Sequence, residues 1–494
     1  MKSKLIVVFA LVLLFSTTFF AGIIEDLQAQ LGPISQQISY LNLRWDSGIN
    51  ARYFQQFEQF GIGLNEFSKK VNGYIELPDA VQRKIFNYLS SLKTSKKVGK
   101  VSPDTMITTD DLMMSSFILL EPKPVTEKTF YRLEPVRDQF LHGSCWAFST
   151  VAAFESAYAI QVLGKDAAKG NIDGVADFSE RWMAYHNIDW NVYSYTNYQY
   201  VQDRNSLEGG NAYFATYNSI RYGMIDEKSA PYSDVYLVST EQIPLPVQAY
   251  GAPRVKASKT VMIPSAADAK DLGYNYEEYI NMIKRAVKEL GSVSIAFTVP
   301  ADFSNYQRGI YTPTSKVQSG GHAVTLVGWV SGDDLTEVVL GSKVNPNAKS
   351  ILDEPLEDGR YTYFDPILNA TYTANSFWII KNSWGYYWGD GGYYVVPAIS
   401  EEAYNSKKVG WWMPEYREMF AFVFDTLDKY EDANLDINND GKIDETDFTA
   451  LVEKVGSDEA DDIVRCDISI PNDGIINGDD VAVWVYLYNK LVGK

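Results

Sequence analysis

His142-Gly143-Ser144-Cys145-Trp146-Ala147-Phe148 sets one of the two cysteines of a 494-residue chain just after a small, flexible Gly143-Ser144 step. The apolar run at 146–160 behind it is suited to a helix that ends near Gly164. A thiol at a helix N-terminus feels partial positive charge, so its pKa falls and the nucleophilic thiolate forms more readily. The stretch therefore presents Cys145 as a candidate nucleophile for acyl transfer.

Such a thiol needs a base and an acid, and the chain has three histidines, His142, His186 and His322. His142 is too close along the chain to be the obvious partner. His186 lies among Tyr185 and Trp190 and reads as a packing or surface residue. His322 follows Gly320-Gly321 at the start of an expected strand, and glycines there let backbone and substrate approach closely. Lys381-Asn382-Ser383-Trp384-Gly385 supplies a third group. The Asn382 amide oxygen can accept from one ring nitrogen and leave the other for the thiol, with Trp384 shielding that bond. Gln139 and the backbone N–H of Cys145 could form an oxyanion hole.

Taken together, QFLHGSCWAFS, GGHAVTLVGW and FWIIKNSWGYYWGDGGYY resemble, in that order, the papain-like cysteine peptidases. The resemblance implies Cys145 as nucleophile, His322 as general acid/base, Asn382 as orienter and Gln139 as oxyanion donor, with no cofactor for catalysis. It implies an α+β fold with a helical left half and a β-rich right half over 128–425. Glu208-Gly209-Gly210-Asn211 matches the family's Gly-Gly wall, where Gly210 pairs with extended substrate. Ala212 and Ala296 fall at specificity-pocket positions; Gly209, Gly321 and Trp384 complete the expected substrate-binding set. The chain departs from the family at His142 and Leu207, where a disulfide pair usually stands. That bridge is absent, both cysteines are expected as free thiols, and His142 could perturb the thiolate.

The composition reads as globular, 46% hydrophobic and 22% charged, and the length calls for two or three units. A net charge of −19 without a basic block argues against nucleic-acid binding. Lys2 and Lys4 before the apolar run at 5–15 read as a signal peptide over 1–21, giving a secreted, cell-surface or periplasmic protein. The alternative is an uncleaved anchor, for which the run is short; no other stretch suits a bilayer. Residues 22–127 form a mainly helical N-terminal region, with helix-compatible spacing at 23–31, 54–60 and 79–92 and a polar linker at 93–127. Gly63-Leu64-Asn65-Glu66-Phe67 is close to a short motif of the family's inhibitory propeptide, which would run backwards through the cleft. The alternative is a permanent domain. Strands are expected at 292–299, alternating, and at 323–330, 377–381 and 393–396. Residues 331–375 read as a polar surface insertion, either a solvated hairpin or loop, or a lid.

The tail, 430–494, opens on Asp436-Ile437-Asn438-Asn439-Asp440-Gly441-Lys442-Ile443-Asp444-Glu445-Thr446-Asp447. Oxygens fall at positions 1, 3, 5, 9 and 12 of an EF-hand-like loop (Asp436, Asn438, Asp440, Asp444, Asp447), with the Lys442 carbonyl at 7 and Gly441 at the sharp turn. A helix at 448–455 should come next. A second copy offers Asp467, Asp473, Ile475, Asn477 and Asp480, distorted by two extra residues near Ile470-Pro471. Two such loop–helix repeats resemble a dockerin module, which implies calcium as cofactor and a cohesin-type scaffold receptor as partner. The plainer alternative is a calcium-dependent stabilising cap. Read whole, the chain is expected to be an exported endopeptidase made as a zymogen and acting on polypeptides. The alternatives are an exopeptidase of the same family and a non-catalytic, scaffold-docked peptide-binding protein.

Overall fold

The computed structural model describes residues 28–29, 31–53, 70–77, 79–94, 117–118, 120, 124–125, 129–130, 135–163, 176–187, 207, 209–235, 244–424, 435–457, 459–466, 468, 476, 480–481, 484–485 and 488. The expected signal segment, the Gly63–Phe67 motif, the 54–60 helix, Glu208, Asp467, Asp473, Ile475 and Asn477 lie outside them.

The helix spans Cys145–Gln161 and is buried on nearly every side. Its small alanines and serines allow this all-round burial by letting neighbours approach. It packs on a mixed sheet that takes in every described strand except two short pairs. In chain order the strands are β1 (Trp45–Ser47), β2 (Phe117–Ile118), β3 (Thr129–Phe130), β4 (Lys259–Ile263), β5 (Val293–Pro300), β6 (Tyr306–Gly309), β7 (Gln318–Ser331), β8 (Tyr361–Asp365), β9 (Ala370–Ala374), β10 (Ser376–Lys381), β11 (Tyr393–Pro397) and β12 (Met419–Val423), all among the described residues. The sheet runs β11-β10-β7-β5-β12-β4-β2, with β3 added on β7. β1–β6 and β8–β9 form separate antiparallel pairs.

Two expectations change. The alternation at 292–299 predicted one buried face, yet β5 is buried along its whole length. One face meets the Cys145 helix, where Ser149 Oγ lies 2.7 Å from Ser294 Oγ. The other meets an aromatic cluster, with the Phe297 ring 5.3 Å from Phe303 and 6.1 Å from Tyr394. The insertion at 331–375 does contain the hairpin that was one of its expected forms, β8–β9, but a hairpin with a buried face. Its first residue still belongs to β7, and β8 and β9 turn Tyr361, Tyr363 and Tyr372 inward. Asp365 accepts the Trp412 indole N–H at 2.8 Å. Alternating tyrosines give these strands an apolar face that charge counting along the segment hides.

The N-terminal region shares the main core: Leu43, Trp45, Tyr53, Val71, Tyr74 and the Asp79–Thr94 helix residues Val81, Ile85 and Leu89 are buried against it. The tail has its own small core of Leu435, Ile437, Leu451, Cys466, Ile468, Ile476 and Trp484. Both cysteines are free and buried. No helix among the described residues is long and apolar enough to cross a membrane.

Asn50 ties the N-terminal strand to the body. Its Nδ2 donates to the Ser304 and Tyr306 carbonyls at 2.8 and 3.1 Å, and its Oδ1 accepts from Gln307 Nε2 and Gly389 N at 2.8 and 2.9 Å. Asn50→Ala leaves buried groups unpaired, so chemical denaturation should show a loss of about 2–4 kcal/mol.

Candidate active site

Cys145 opens its helix with Ser144 at the cap position, but Ser144 makes no capping bond; its hydroxyl lies 2.7 Å from that of Tyr232. His322 stands on β7 opposite Phe297 of β5. β10 pairs with β7 through Lys381 and Thr325, which delivers Asn382 beside His322. His322 Nε2 and Asn382 Oδ1 are 2.8 Å apart, so the ring donates to the amide from this nitrogen. Nδ1 is buried with no hydrogen-bond partner among the described residues. The arrangement leaves one ring nitrogen open for proton transfer, as a base beside a thiol requires. The Trp384 ring lies 4.9 Å from the imidazole and is fully buried, consistent with shielding.

Gln139 is held rigidly. Its Oε1 accepts from Ser383 Oγ at 2.6 Å, and its N–H donates to the Ser383 carbonyl at 2.9 Å. Its Nε2 donates to the His142 carbonyl at 2.7 Å and to the Val71 carbonyl at 2.8 Å. Val71 belongs to a segment, residues 70–77, that threads between two walls. Gly210 N–H donates to the Gly73 carbonyl (2.9 Å), Ile75 N–H to the Gly210 carbonyl (2.8 Å) and Tyr74 N–H to the Gly321 carbonyl (3.0 Å). The bridge between Tyr74 and Gly210 is parallel. Gly209 completes the wall with a left-handed φ of 68° and an N–H bond to the Gly143 carbonyl at 3.1 Å. Gly73 is obligatory: a Cβ there would sit 1.7 Å from the Gly143 carbonyl oxygen.

Ala212 starts the Ala212–Arg221 helix, and Ala296 pairs with Ala323, next to His322; both are buried. The sequence reading missed the charged groups around Tyr74. The Arg417 guanidinium lies 5.1 Å from the Tyr74 ring centroid and pairs with Glu76, while Glu418 Oε1 is 3.5 Å from the Tyr74 hydroxyl. Charges just ahead of the buried strand β12 were the available signal. His142 is turned aside, with Nε2 2.9 Å from the Val235 carbonyl. His186 is a packing residue, stacked on Tyr222 at 4.1 Å.

The expected low thiol pKa is not realised in this filled cleft. Burial pushes Cys145 up to about 11, partly offset by backbone hydrogen bonding from Ala323 and Gly73. Burial also pulls His322 down to about 4, against the Asn382 bond and with the Arg52 cation. Desolvation outweighs the helix terminus, and the pair is neutral at pH 7.

In the tail, Gly441 has φ 81°, and Asp436 accepts the Asp440 and Gly441 N–H groups at 3.0 and 2.9 Å. Buried Asp447 accepts from Asn438 N–H at 3.1 Å, and buried Asp480 accepts from Ile468 N–H at 2.9 Å in the second copy. Asp444 caps the Glu445–Glu453 helix, accepting from Thr446 N–H at 2.9 Å. Among the described residues no group of three or more His, Cys, Asp or Glu side chains is drawn together as a metal site.

Because a raised thiol pKa keeps the proton on sulfur until the pH passes the folded value, Cys145 in the intact chain should react slowly with iodoacetamide at pH 8. Its rate should climb as pH rises from about 9 to 11. Gly73→Ala, which expels the segment, should raise the pH 8 rate roughly 100-fold, the change in thiolate fraction on returning to an ordinary thiol. Equal rates in the two proteins, measured by mass spectrometry of the Cys145 peptide, would contradict this account.

Similarity to known proteins covers the same residues. Residues 123–172 and 195–408 match the family described as "Papain family cysteine protease". The chain is 25% identical to Cathepsin B-like CP2 of Giardia intestinalis over 375 residues, 74% of this chain and 90% of that protein. It is 24% identical to Vivapain-1 of Plasmodium vivax, covering 76% of this chain and 54% of the relative. Among solved structures, proCathepsin B S9 from Trypanosoma congolense aligns with 80% of this chain and 98% of its own, at 15% identity and a TM-score of 0.45. The family match spans more than half of the chain and contains the Cys145, His322 and Asn382 motifs: this protein belongs to the papain family of cysteine peptidases, a family of hydrolases.

Proposed function

We propose that the chain is the inactive precursor of an exported endopeptidase. Cys145 attacks the scissile carbonyl as thiolate. Gln139 Nε2 and the Cys145 N–H hold the oxyanion, and His322 Nδ1 carries the proton from the thiol to the leaving amine. Asn382 keeps the ring aimed, and water attacking the acyl-enzyme regenerates the thiol. Gly209, Gly210 and Gly321 bind substrate backbone, and Ala212 and Ala296 leave room for an apolar side chain.

The observation that carries the precursor reading is the Val71 carbonyl on Gln139 Nε2 at 2.8 Å, on the donor an oxyanion would use. The segment also borrows the Gly210 and Gly321 backbone groups, and its parallel bridge with Gly210 supports the reversed direction expected of an inhibitory propeptide.

The tail is proposed to bind calcium and, through it, to dock on a cohesin-type scaffold receptor. Its support is the repeated spacing, the left-handed Gly441 turn and an oxygen-only donor set: Asp436, Asn438, Asp440, Asp447 and the Lys442 carbonyl, a set suited to a hard cation. When bound, the ion would supply cross-linking of the loop, with no part in the peptidase chemistry. The matching buried carboxylates Asp447 and Asp480 support a second, equivalent loop.

Proteolytic removal of residues 70–77 should unmask hydrolysis of a fluorogenic peptide with Phe or Leu at P2. Cys145→Ala should abolish it, and His322→Ala should lower kcat by at least about 100-fold. Activity of the uncut chain equal to that of the cut one would overturn the precursor reading. Calcium should raise the melting temperature of the tail and a chelator should reverse it; Asp436→Asn should weaken the effect, and a chelator-insensitive melt would rule out the calcium site.

A further inference from the structure

The loop from Gln139 to Ser144 carries one oxyanion donor at its start and delivers the other, the Cys145 N–H, just past its end, yet it contains no helix or strand. Phe140 within it has a φ of 61°, a conformation that a bulky residue keeps only where its surroundings enforce it. No disulfide supplies that hold. Both cysteines are free, and His142 and Leu207 stand where the bridge would be expected.

The turn at Tyr232–Val235 grips the loop instead. The Tyr232 hydroxyl donates to the Gln139 carbonyl at 3.0 Å and lies 2.7 Å from Ser144 Oγ. A tyrosine has one hydroxyl proton, so with that proton on the carbonyl it accepts from Ser144. One buried side chain thus spans the loop from its first residue to the residue before the nucleophile. At the other end of the turn, the Val235 carbonyl lies 2.9 Å from His142 Nε2, which donates, since a carbonyl only accepts. This second contact also reaches Gln139. The His142 carbonyl takes one Gln139 Nε2 hydrogen at 2.7 Å, and the Val71 carbonyl takes the other at 2.8 Å. Fixing His142 therefore fixes which hydrogen is left for an oxyanion once Val71 is gone.

The turn is itself braced. Tyr232 N–H donates to Glu227 Oε1 at 2.7 Å, and Arg181 pairs with Asp234 at 3.0 Å and donates to the Pro231 carbonyl at 3.3 Å. The Tyr232 ring packs edge-on against Phe148 of the Cys145 helix, with centroids 4.7 Å apart. All of these groups follow the nucleophile in the chain, so the grip does not depend on the cleft segment.

We propose that Tyr232 and His142 are positioning residues: acting through the turn at 232–235, they hold Gln139 and the Cys145 N–H in register as one oxyanion hole, in place of a disulfide. Such donors act on charge that develops in the transition state and must be preset to within about 0.5 Å, so loosening them slows turnover more than it weakens binding. This rests on the reading of Gln139 as oxyanion donor, and the test separates the two.

The full-length chain is converted by limited proteolysis, or used uncut if it already turns over substrate, and steady-state kinetics are compared on a fluorogenic peptide. Tyr232→Phe keeps the ring and removes the hydroxyl. It should lower kcat about tenfold with KM within about twofold, the pattern of an interaction expressed only in the transition state. His142→Leu, which severs the other arm, should show the same split. Gln139→Ala should lower kcat about 100-fold. Adding Tyr232→Phe to it should cost less than about threefold more, because the side chain that the hydroxyl positions is gone. If Tyr232→Phe does not fold, His142→Leu alone and combined with Gln139→Ala carries the same comparison. An undiminished tenfold loss in the Gln139→Ala background marks a general effect on the fold and overturns the proposal. A Gln139→Ala loss beside unchanged kcat in Tyr232→Phe overturns the proposal alone, whereas unchanged kcat in Gln139→Ala overturns the oxyanion reading and the proposal with it.

Discussion

The antiparallel register between β7 and β10 is the constraint on which the site depends. It pairs Lys381 with Thr325, and the next step along β10 sets Asn382 beside His322 at 2.8 Å. Side chains alternate along a strand, so a slip of one residue would turn the imidazole or the amide to the opposite face. A register shift between Ile379 and Ile380 lies just before the site, where a bulge re-aims the residues beyond it. The same β7 carries the Cys145 helix, with Ser149 Oγ donating to the Val324 carbonyl at 2.5 Å. Thiol, imidazole and amide are thus referred to one strand.

Behind the site the two halves meet through buried charge. Glu155 of the Cys145 helix, Glu180 and Lys381 are buried, and Arg137 joins them around a cavity of about 10 Å³, roughly one water molecule in size. Burial raises both carboxyls, and each raises or is held back by its neighbours: Glu180 repels Glu155, while Lys381 and Arg137 draw them down. Such a cluster contributes little net stability but costs a great deal if one member is lost. Its use here is placement, since it joins the helix that begins at the thiol to β10, which ends just before Asn382.

In the proposed precursor the cleft segment works by substitution. It offers the backbone groups a substrate would offer, with Gly73 passing where no side chain fits against Gly143. Beneath it the buried thiol is pushed up and the buried imidazole pulled down by desolvation, the latter helped by the Arg52 cation.

The sequence by itself marked Cys145, His322, Asn382 and Gln139 as the candidate site and located the strands β5, β7, β10 and β11 around them, because short motifs carry backbone requirements that local chemistry imposes. Glycine at 320–321, an apolar run behind Cys145 and an indole after Asn382 are readable without a fold. The loop spacing at 436–447 was legible for the same reason, although the inward turn of its carboxylates was not. Only the tertiary structure decided what is buried beside what. It turned a charge-rich insertion into a tyrosine-faced hairpin and made a fully buried strand of an alternating one. It also set Arg417 and Glu418 around Tyr74 and carried Arg52 across 86 residues of chain to Asp138. Pairings at that separation leave no periodicity in the sequence, and the sign of the thiol's pKa shift comes from burial, which is a property of the folded whole.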